Sequence, residues 1–591
     1  MLRKDSGNSV VSSHTKKFRI ISLFVFIEFC FILLIIRLFI IQYISSVDYR
    51  QRANKQFQIT SKSKIKRGTI YSRNMNELAI NRDMISIWAD PSVIKCPQQV
   101  VEMLVSPLGC AAERLLTLLN QKDRKFVWLK RKLDYGILRQ IDQQLIAKIY
   151  GLGIVIEEKR FYPKGKLASH VIGCVNFDNE GIDGIEKVCD SQMTTYYYEE
   201  MQSLSENGKN RRIKLVGLND NNIPNYNNGV VLAIDEFIQD ITEEELTNAC
   251  EKWSAKSGSA IVMTPQTGEI IAMANYPSYD LNLYSKTDEI CKRNRAIWAT
   301  YEPGSVFKIV TISAALEENV VKPSDTFYCE WGTYRVFGKT IHDDTPYGLL
   351  TVSEIIEKSS NIGVTKIADQ LGGEAFDKYV RAFGFGKKTN IDLPYEAEGN
   401  ISALDRWRKH AMIYVPWGQG ISVTSLQMLS AMNVVANNGI LMKPYVVKKI
   451  IDDQGKVIKT IAPEVERQVI SKQTAQTVTQ MLVDVVESGT GKMAQVKGYQ
   501  VAGKTGTAQK AGKGGYSDKY IASFAGFLPA DNPKLSIIVV IDEPQEEYHG
   551  GKTAAPTFKA IAEKAMKRIE SHKIALQEAT TSSGDAGISR K

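Results

Sequence analysis

The sequence predicts a multidomain α+β protein: a single N-terminal transmembrane helix, an elongated mixed domain, and a larger domain with an antiparallel sheet flanked by helices. Three observations support this fold class. The chain has 591 residues, too many for one ordinary domain. Residues 18–44 form a long apolar run. From residue 229 onward, strand patterns, a block of helical patterns, further strand patterns and a closing helix follow one another.

Composition and charge narrow the possible functions. Hydrophobic residues make up 43% of the chain and charged residues 24%, values typical of globular proteins. The net charge of +10 fits an anionic membrane or polymer environment, but no compact basic stripe interleaved with aromatic residues indicates nucleic-acid binding. The six histidines have no ligand-like spacing and the eight cysteines form no C-x-x-C pair, so we expect no metal site.

The apolar run at 18–44 is long enough to span a bilayer, which needs about 20 apolar residues. No small-residue cleavage pattern follows it, so we expect an uncleaved anchor in the cytoplasmic (inner) membrane. The basic residues of the segment 1–17 favour a cytoplasmic tail, with the rest of the chain on the extracytoplasmic (periplasmic) side. Glu28 interrupts the run, and because an acid at membrane depth usually has a partner, we expect a membrane partner helix.

Residues 45–228 predict a mixed domain, which we call the pedestal. Its predicted strands are 67–80 and 84–91, and its predicted short helices are 100–108, 111–120 and 143–152. A turn-rich stretch follows, and the region contains no catalytic constellation. The sequence therefore predicts a structural or interactive role for it.

Residues 229–575 predict the second domain. Its first half begins with a strand and a helix and continues into a hairpin, with predicted bounds 230–235, 237–253, 257–265 and 268–278. The remaining patterns are two helices, three strands and a final helix, at 352–371, 425–439, 499–510, 520–529, 534–544 and 555–570. The last residues, 576–591, are small and polar, and predict a disordered tail.

The central chemical pair is Ser305 and Lys308, directly before an apolar, helix-compatible run. Helical spacing places residues i and i+3 on one face, so the Lys308 amine can reach the Ser305 hydroxyl. A buried, neutral lysine can accept the proton of a serine nucleophile. Taken alone the pair is a weak signal, because Ser-x-x-Lys also occurs as an exposed helix start with a solvated lysine.

Two further motifs strengthen this pair. Ser359 and Asn361 form a Ser-x-Asn motif within a helical pattern, and residues 504–507 read Lys-Thr-Gly-Thr on a strand pattern. Each has an ordinary structural explanation, a cap or a strand end. In this order and with these gaps, the three motifs are the set found in penicillin-binding proteins and class A β-lactamases.

Acyl transfer at an amide explains these residue types. Ser305 would be the nucleophile, Lys308 its base, and the Ser359 hydroxyl a proton relay to the leaving amine, with Asn361 orienting Lys308. A cationic Lys504 would keep Lys308 neutral by like-charge repulsion and attract a substrate carboxylate.

The backbone around the last motif also has a predicted role. The N–H groups of Ser305 and Thr507 are natural donors to an oxyanion, and Gly506 would let the backbone approach a ligand closely. These predictions, like those for the side chains, depend on the motifs meeting in one cleft.

The chain resembles the class B penicillin-binding proteins, which are monofunctional peptidoglycan D,D-transpeptidases, over nearly its whole length after the anchor. The matching segments are 67–79, 160–173, 181–187, 232–239, 267–282, 293–308, 417–427 and 501–510. Within the family, the stretches KTGTAQK, SFAGFLPADNP and VVIDEPQEEYHGGKTAAPTF resemble the division-specific branch more than the elongation-specific branch.

The resemblance implies a reaction and a set of partners. Ser305 would be acylated by a D-Ala-D-Ala donor stem peptide and would pass the acyl group to an amine of a neighbouring stem, in septal wall synthesis at cell division. Lys504, Thr505, Gly506 and Thr507 would bind the carboxylate end of a stem peptide or of a β-lactam. No metal or organic cofactor is implied. The family's partners are a membrane glycosyltransferase and other division proteins.

The chain departs from the family pattern in places, and competing functions share its motifs. Ser72 and Met75 occupy places where the family usually has Asp and Gly, so the local geometry of the pedestal is open. A β-lactamase would need a deacylating carboxylate, for which we find no candidate loop. A β-lactam sensor would need a cytoplasmic signalling domain, for which 17 residues leave no room. An elongation-specific transpeptidase, a scaffold without turnover and a D,D-carboxypeptidase also stay open.

Overall fold

The structure is a computed structural model that describes residues 12–39, 59–64, 67–139, 149–194, 196–201, 228–402, 411–512 and 515–585. The chain divides into two compact units: Met1–Ile65 with Tyr196–Pro224, and Lys66–Thr195 with Asn225–Lys591. Most of the predicted helix at 143–152 and the first 11 residues of the predicted cytoplasmic tail lie outside the described residues.

The helices and strands follow in chain order. The helices are α1 (Ser12–Phe39), α2 (Pro97–Leu108), α3 (Ala112–Leu119), α4 (Ser169–Ile172), α5 (Gly184–Val188), α6 (Asp190–Met193), α7 (Glu236–Lys252), α8 (Glu289–Lys292), α9 (Arg295–Trp298), α10 (Lys308–Glu317), α11 (Val352–Glu357), α12 (Asn361–Leu371), α13 (Gly373–Ala382), α14 (Ala411–Tyr414), α15 (Ser425–Ala436), α16 (Lys472–Glu487) and α17 (Ala554–Asp585). The strands are β1 (Ile59–Lys64), β2 (Ile70–Tyr71), β3 (Glu77–Ala89), β4 (Val127–Leu133), β5 (Leu152–Phe161), β6 (Tyr196–Met201), β7 (Gly229–Leu232), β8 (Ser257–Met263), β9 (Ile270–Tyr276), β10 (Thr300–Tyr301), β11 (Thr326–Tyr328), β12 (Thr333–Val336), β13 (Lys339–His342), β14 (Leu349–Thr351), β15 (Val423–Thr424), β16 (Ile440–Met442), β17 (Val447–Ile451), β18 (Val457–Thr460), β19 (Val465–Gln468), β20 (Ala502–Gly512), β21 (Gly515–Leu528) and β22 (Leu535–Asp542).

The first unit contains the predicted anchor helix. Within α1, the 19 residues Ile21–Phe39 have a mean hydropathy of 2.6 and are long and apolar enough to cross a membrane. The helix begins at Ser12, earlier than predicted, and residues 40–44 of the predicted span lie outside the described residues. The same unit holds a two-stranded antiparallel pair formed by β1 and β6.

In the second unit, a seven-stranded sheet joins the pedestal to the predicted second domain, residues 229–575, which we call the catalytic region because it contains Ser305 and Lys308. Its order is β18-β17-β7-β2-β3-β4, with β5 also paired to β3. Strand β2 lies before the predicted boundary at residue 228 and pairs in parallel with β7, which follows it. Backbone pairing therefore crosses the predicted boundary, while the predicted domain limits themselves stay a prediction.

The turn between β2 and β3 contains Ser72 and Met75, two of the residues that depart from the family pattern. Met75 adopts a left-handed backbone conformation with φ of 64°, where a glycine is favoured. The Ser72 hydroxyl oxygen accepts the Asn76 backbone N–H at 3.2 Å, a contact that an aspartate side chain can also make. Ser72 and Met75 are therefore compatible with a closed turn between the two strands.

The second sheet forms the centre of the catalytic region. Its five strands are antiparallel, as the sequence predicts, and lie in the order β20-β21-β22-β8-β9, which the sequence does not predict. Alternate residues point to opposite faces. On one face, Val262 and Val539 pack in a cluster with Phe558 of α17. On the other face, Ile261 and Ile538 belong to the cluster that includes α15. The predicted α+β class with helices on both faces is therefore confirmed, and β20 lies at the edge of its sheet.

Two helices differ from the sequence prediction. The stretch 352–371 forms two helices, α11 and α12, because Ser359 between them has a left-handed φ of 63°. The final helix, α17, continues to Asp585 and so extends into the predicted disordered tail. Residues 586–591 lie outside the described residues.

Candidate active site

Ser305 lies in a short 3-10 turn, Gly304–Phe307, which leads directly into α10. The serine is partly exposed, whereas Lys308, the first residue of α10, is completely buried. Within the part of the chain that the structure describes, the Ser305 hydroxyl makes no hydrogen bond. The structure thus places a partly exposed serine three residues before a buried lysine. It shows no hydrogen bond between the Lys308 amine and the Ser305 hydroxyl among the described residues, so the predicted reach of the amine stays a prediction.

The buried Lys308 amine points to the Ser-x-Asn motif. Its Nζ donates to the Ser359 hydroxyl oxygen at 3.1 Å and to the Asn361 side-chain oxygen at 2.8 Å. It also donates to the Ser359 backbone carbonyl. The left-handed backbone of Ser359 turns both its carbonyl and its hydroxyl toward the amine. The predicted partners of Lys308 therefore meet it.

Lys504 approaches the same hydroxyl from β20. Its Nζ donates to the Ser359 hydroxyl oxygen at 3.0 Å and to the Thr505 carbonyl at 3.3 Å. Lys504, like Lys308, is completely buried. The Ser359 hydroxyl thus accepts a hydrogen bond from each of two lysines, which leaves its own proton free to be donated elsewhere.

Burial dominates the protonation of both lysines. It lowers the pKa of Lys308 to about 7, although the nearby carboxylates Asp343 and Asp344 act in the opposite direction. The pKa of Lys504 is lowered well below its ordinary value, first by burial and second by the charge of Lys308. The prediction from sequence was that a cationic Lys504 keeps Lys308 neutral. In the structure, burial is what lowers the pKa of Lys308, and the lowered pKa of Lys504 works against the cationic form that this prediction gives it.

A carboxylate that was not predicted from the sequence holds the Ser-x-Asn motif in place. One oxygen of Asp343 accepts the backbone N–H groups of Asn361 at 2.5 Å and of Ile362 at 3.1 Å, at the N-terminus of α12. Its other oxygen accepts the Ser360 hydroxyl at 2.6 Å. A negative charge is favoured at a helix N-terminus. Asp343 lies 18 residues before Asn361, so no local pattern indicated the contact.

Asn361 itself bridges two elements. While its side-chain oxygen accepts from Lys308, its side-chain nitrogen donates to the His342 carbonyl at 3.0 Å. Ser360 caps α12 by accepting the Gly363 N–H at 2.9 Å. Within this motif, Ser360 therefore caps the helix, while the neighbouring Asn361 contacts Lys308.

The edge strand β20 packs against the nucleophile turn through two glycines. A side chain at Gly506 would lie 2.7 Å from Val306 and 2.9 Å from the Pro303 carbonyl. Gly304, with φ of 55°, lies against the Thr507 carbonyl, 2.8 Å from where a Cβ would stand. Gly506 thus allows close packing of strand on turn, whereas the prediction from sequence was close approach of a ligand.

The remaining residues of the Lys-Thr-Gly-Thr motif line the same strand. The Thr505 hydroxyl contacts the Thr490 hydroxyl at 2.9 Å, and the Thr507 hydroxyl accepts the Gly550 backbone N–H at 3.1 Å. All three predicted motifs therefore meet in one place. Their chemical roles, including those of the Ser305 and Thr507 backbone N–H groups, stay predictions.

Comparison with known proteins agrees with this architecture. Residues 258–563 match the family model of the penicillin-binding protein transpeptidase domain, and residues 62–216 match that of the penicillin-binding protein dimerisation domain. Stage V sporulation protein D of Bacillus subtilis is 33% identical over 95% of this chain and 87% of its own length. Peptidoglycan D,D-transpeptidase FtsI of Escherichia coli is 33% identical over 84% of this chain and 82% of its own length.

A solved structure extends the similarity to the fold. Penicillin-binding protein 3 of Mycobacterium tuberculosis, in complex with aztreonam, aligns with a TM-score of 0.67 and 29% identity, covering 86% of this chain and 97% of that one. The transpeptidase model covers more than half of the chain, and the two relatives match 95% and 84% of it. The chain therefore belongs to the class B penicillin-binding proteins, the peptidoglycan D,D-transpeptidases.

Proposed function

We propose that the protein forms an acyl-enzyme on Ser305, with Lys308 as the base that accepts the serine proton. The observation that carries this proposal is the environment of Lys308: its amine is completely buried and held by Ser359 and Asn361. Because its pKa is lowered to about 7, a large fraction of the amine is neutral near physiological pH. A neutral amine one helical turn from a serine can deprotonate it.

The second lysine has a different part in the proposal. Lys504, with Thr505 and Thr507, would bind the terminal carboxylate of a stem peptide or of a β-lactam. An incoming carboxylate favours the charged form of Lys504, which opposes the effect of burial. The Ser359 hydroxyl, in contact with both amines, would carry a proton from Lys308 to the departing amine. The backbone N–H groups of Ser305 and Thr507 would stabilise the oxyanion.

The proposed reaction follows the activity of the family. Ser305 attacks the D-Ala-D-Ala bond of a donor stem peptide, the terminal D-Ala leaves, and an amine of a neighbouring stem takes the acyl group. A β-lactam would acylate the same serine and remain bound. Rapid hydrolysis of bound penicillin would instead indicate a β-lactamase.

Fluorescent penicillin tests the nucleophile. We expect full-length protein in detergent to be labelled covalently, and Ser305→Ala to lose the label. Ser313→Ala is a matched control, because Ser313 is a buried serine of the adjoining helix α10 that takes no part in the proposed chemistry. Labelling of Ser305→Ala at the level of the wild type would refute the assignment.

We propose further that α1 anchors the protein in the cytoplasmic membrane with the catalytic region outside, and that the enzyme acts in the division septum. The resemblance of the three segments from Lys504 onward to the division-specific branch supports this role. The similarity to a sporulation protein over 95% of the chain favours sporulation as a second candidate. Fluorescence microscopy of a tagged chain separates the candidates. A signal at midcell in growing cells would support a role in division, and a signal along the side wall would support a role in elongation. A signal confined to sporulating cells would support a role in sporulation.

A membrane glycosyltransferase and other division proteins are the proposed partners. The carboxylate of Glu28, on the exposed surface of α1, is the feature that would need a partner within the membrane. We expect Glu28→Leu to reduce co-purification of the glycosyltransferase, while Glu77→Leu, at an exposed acid of the pedestal, leaves it unchanged. Equal recovery with Glu28→Leu would contradict the contact.

A further inference from the structure

A carboxylate beside the nucleophile has no task in acylation. Glu302 lies three residues before Ser305, so the two Cα atoms are at most about 11 Å apart. One of its oxygens, Oε1, accepts the Gly420 backbone N–H at 2.9 Å and the Tyr516 hydroxyl at 3.4 Å. These contacts bring together the nucleophile turn, the loop that follows Trp417 and strand β21.

The second carboxylate oxygen of Glu302, Oε2, has different surroundings from Oε1. Glu302 as a whole is partly exposed, but its Oε2 is buried, and no hydrogen-bond donor reaches that oxygen among the described residues. No lysine or arginine in the described ranges forms an ion pair with this carboxylate. A buried carboxylate oxygen without a donor is costly unless a ligand supplies one.

The surroundings of Glu302 are held against the nucleophile. Gly304 donates its N–H to the Gly418 carbonyl at 3.1 Å, so the loop that contacts Glu302 also contacts the residue before Ser305. Burial raises the pKa of Glu302, against the opposing effects of Gly420 and Tyr516. A carboxylate with a raised pKa is a better proton acceptor than an ordinary one.

The acceptor half of the reaction needs such a group. The donor stem peptide supplies an acyl group and a carboxylate, and the Ser305, Lys308 and Lys504 cluster serves both. The acceptor arrives as a primary ammonium, which must lose a proton before its nitrogen can attack. Lys308 is already occupied in returning a proton to the serine oxygen in this second half.

We propose that Glu302 Oε2 binds the ammonium group of the acceptor stem peptide and removes its first proton. The neutral nitrogen then forms a C–N bond to the acyl carbon as the bond from that carbon to Ser305 Oγ breaks. The second proton of the nitrogen passes to Lys308 and from there to Ser305 Oγ, which leaves as a hydroxyl. Glu302 returns its proton to water when the product departs. The inference rests on the proposed acyl-enzyme.

Partition of the acyl-enzyme tests this role. Full-length protein is acylated with a thioester analogue of the donor peptide, and the products of hydrolysis and of transfer are measured with D-alanine or hydroxylamine as the acceptor. D-alanine carries an ammonium at neutral pH, whereas hydroxylamine is largely unprotonated. We expect Glu302→Gln to lower transfer to D-alanine about 100-fold relative to hydrolysis. Transfer to hydroxylamine should stay within about twofold of the wild type, because no proton has to be removed before attack.

Controls separate this role from a structural one. In Glu302→Gln the amide oxygen can still accept the Gly420 N–H, so the loop contact is kept. Glu317→Gln changes a partly exposed acid at the far end of α10 and should leave both transfers unchanged. Glu302→Asp, which keeps the carboxylate, should restore part of the transfer to D-alanine, and it replaces the glutamine variant if that one does not fold.

The possible outcomes are distinct. Equal losses with both acceptors, or no loss with either, would overturn the role of Glu302. Recovery of D-alanine transfer by Glu302→Gln at alkaline pH, where the free amine forms without help, would support it further. Absence of penicillin labelling in the wild-type protein would instead refute the proposed acyl-enzyme on which the inference rests.

Discussion

The catalytic cleft and the pedestal both bury basic side chains, but the pKa values of these side chains shift in opposite directions. In the pedestal, Arg67 and Arg160 are almost fully buried and share one buried carboxylate, Glu186, at 2.5 and 2.6 Å. In the cleft, Lys308 and Lys504 are equally buried, but their amines donate to a hydroxyl, an amide oxygen and carbonyls.

The difference shows that the partner, and not burial alone, decides the direction in which the pKa of a buried cation shifts. Burial acts to lower the pKa of Arg67, but the charges of Glu186 and Asp190 outweigh it and raise the pKa. For Lys308 the nearest carboxylates lie outside hydrogen-bond distance, so burial prevails and the pKa falls to about 7. The pedestal thereby keeps a permanent ion pair, and the cleft keeps an amine that can exchange a proton.

Replacing the base should produce the largest effect. We expect Lys308→Met to slow acylation by penicillin about 1,000-fold, because the hydroxyl of Ser305 loses its proton acceptor. The measurement is the second-order rate of labelling. Lys378→Met, at an exposed lysine on α13, should label at the wild-type rate. A loss of less than about tenfold for Lys308→Met would mean that another group is the base.

Removing the shared carboxylate of the pedestal should reduce stability instead of rate. Glu186→Gln leaves two buried arginines with less compensation, and we expect a loss of about 3 kcal/mol in the free energy of unfolding. Urea unfolding of the detergent-solubilised protein measures it. Glu157→Gln, in the partly exposed pair with Arg131, should cost about 1 kcal/mol or less. Similar losses of unfolding free energy for both variants would show that burial does not increase the contribution of the Glu186 ion pairs to stability.

The pH dependence of labelling follows from the lowered pKa of Lys308. Below about pH 7 the amine is protonated in the folded protein and cannot accept the serine proton, so the rate should rise with pH and level off above that value. Stopped-flow labelling across this range gives the inflection. An inflection near the ordinary lysine value of about 10.4 would contradict the role given to burial.

Replacing Asp343 should have the smallest effect, a shift in the pH dependence of labelling whose direction can be stated in advance. The charge of Asp343 raises the pKa of Lys308 against burial, so Asp343→Asn should move the inflection of labelling to lower pH. The asparagine side chain can still accept one hydrogen bond at the start of α12, which limits the loss of structure. Asp452→Asn, in an exposed turn, is the control. A shift to higher pH would exclude this electrostatic effect.

The features that could be predicted from the sequence are those that depend on local residue patterns. Period-2 and helical patterns located the strands and helices of the five-stranded sheet, and the spacing of Ser305 and Lys308 predicted one helical face. The sequence did not predict the interruption of the helix at Ser359. The start of the following helix depends on hydrogen bonds to Asp343, which lies 17 residues before Ser360 in the chain and is brought next to it only by the fold. Nor did the sequence predict the packing of Gly506 on Val306, which depends on two segments about 200 residues apart in the chain meeting edge to face.

The parallel pairing of β2 with β7 has a practical consequence for dissecting the protein. Val230 and Val231 of β7 are buried, and β2 covers one side of their backbone. A truncated chain beginning at residue 229 would expose that side as an unpaired sheet edge, a template for aggregation. The pedestal segment from Arg67 onward is therefore best treated as part of the folding unit of the enzyme, and a soluble catalytic fragment should retain it.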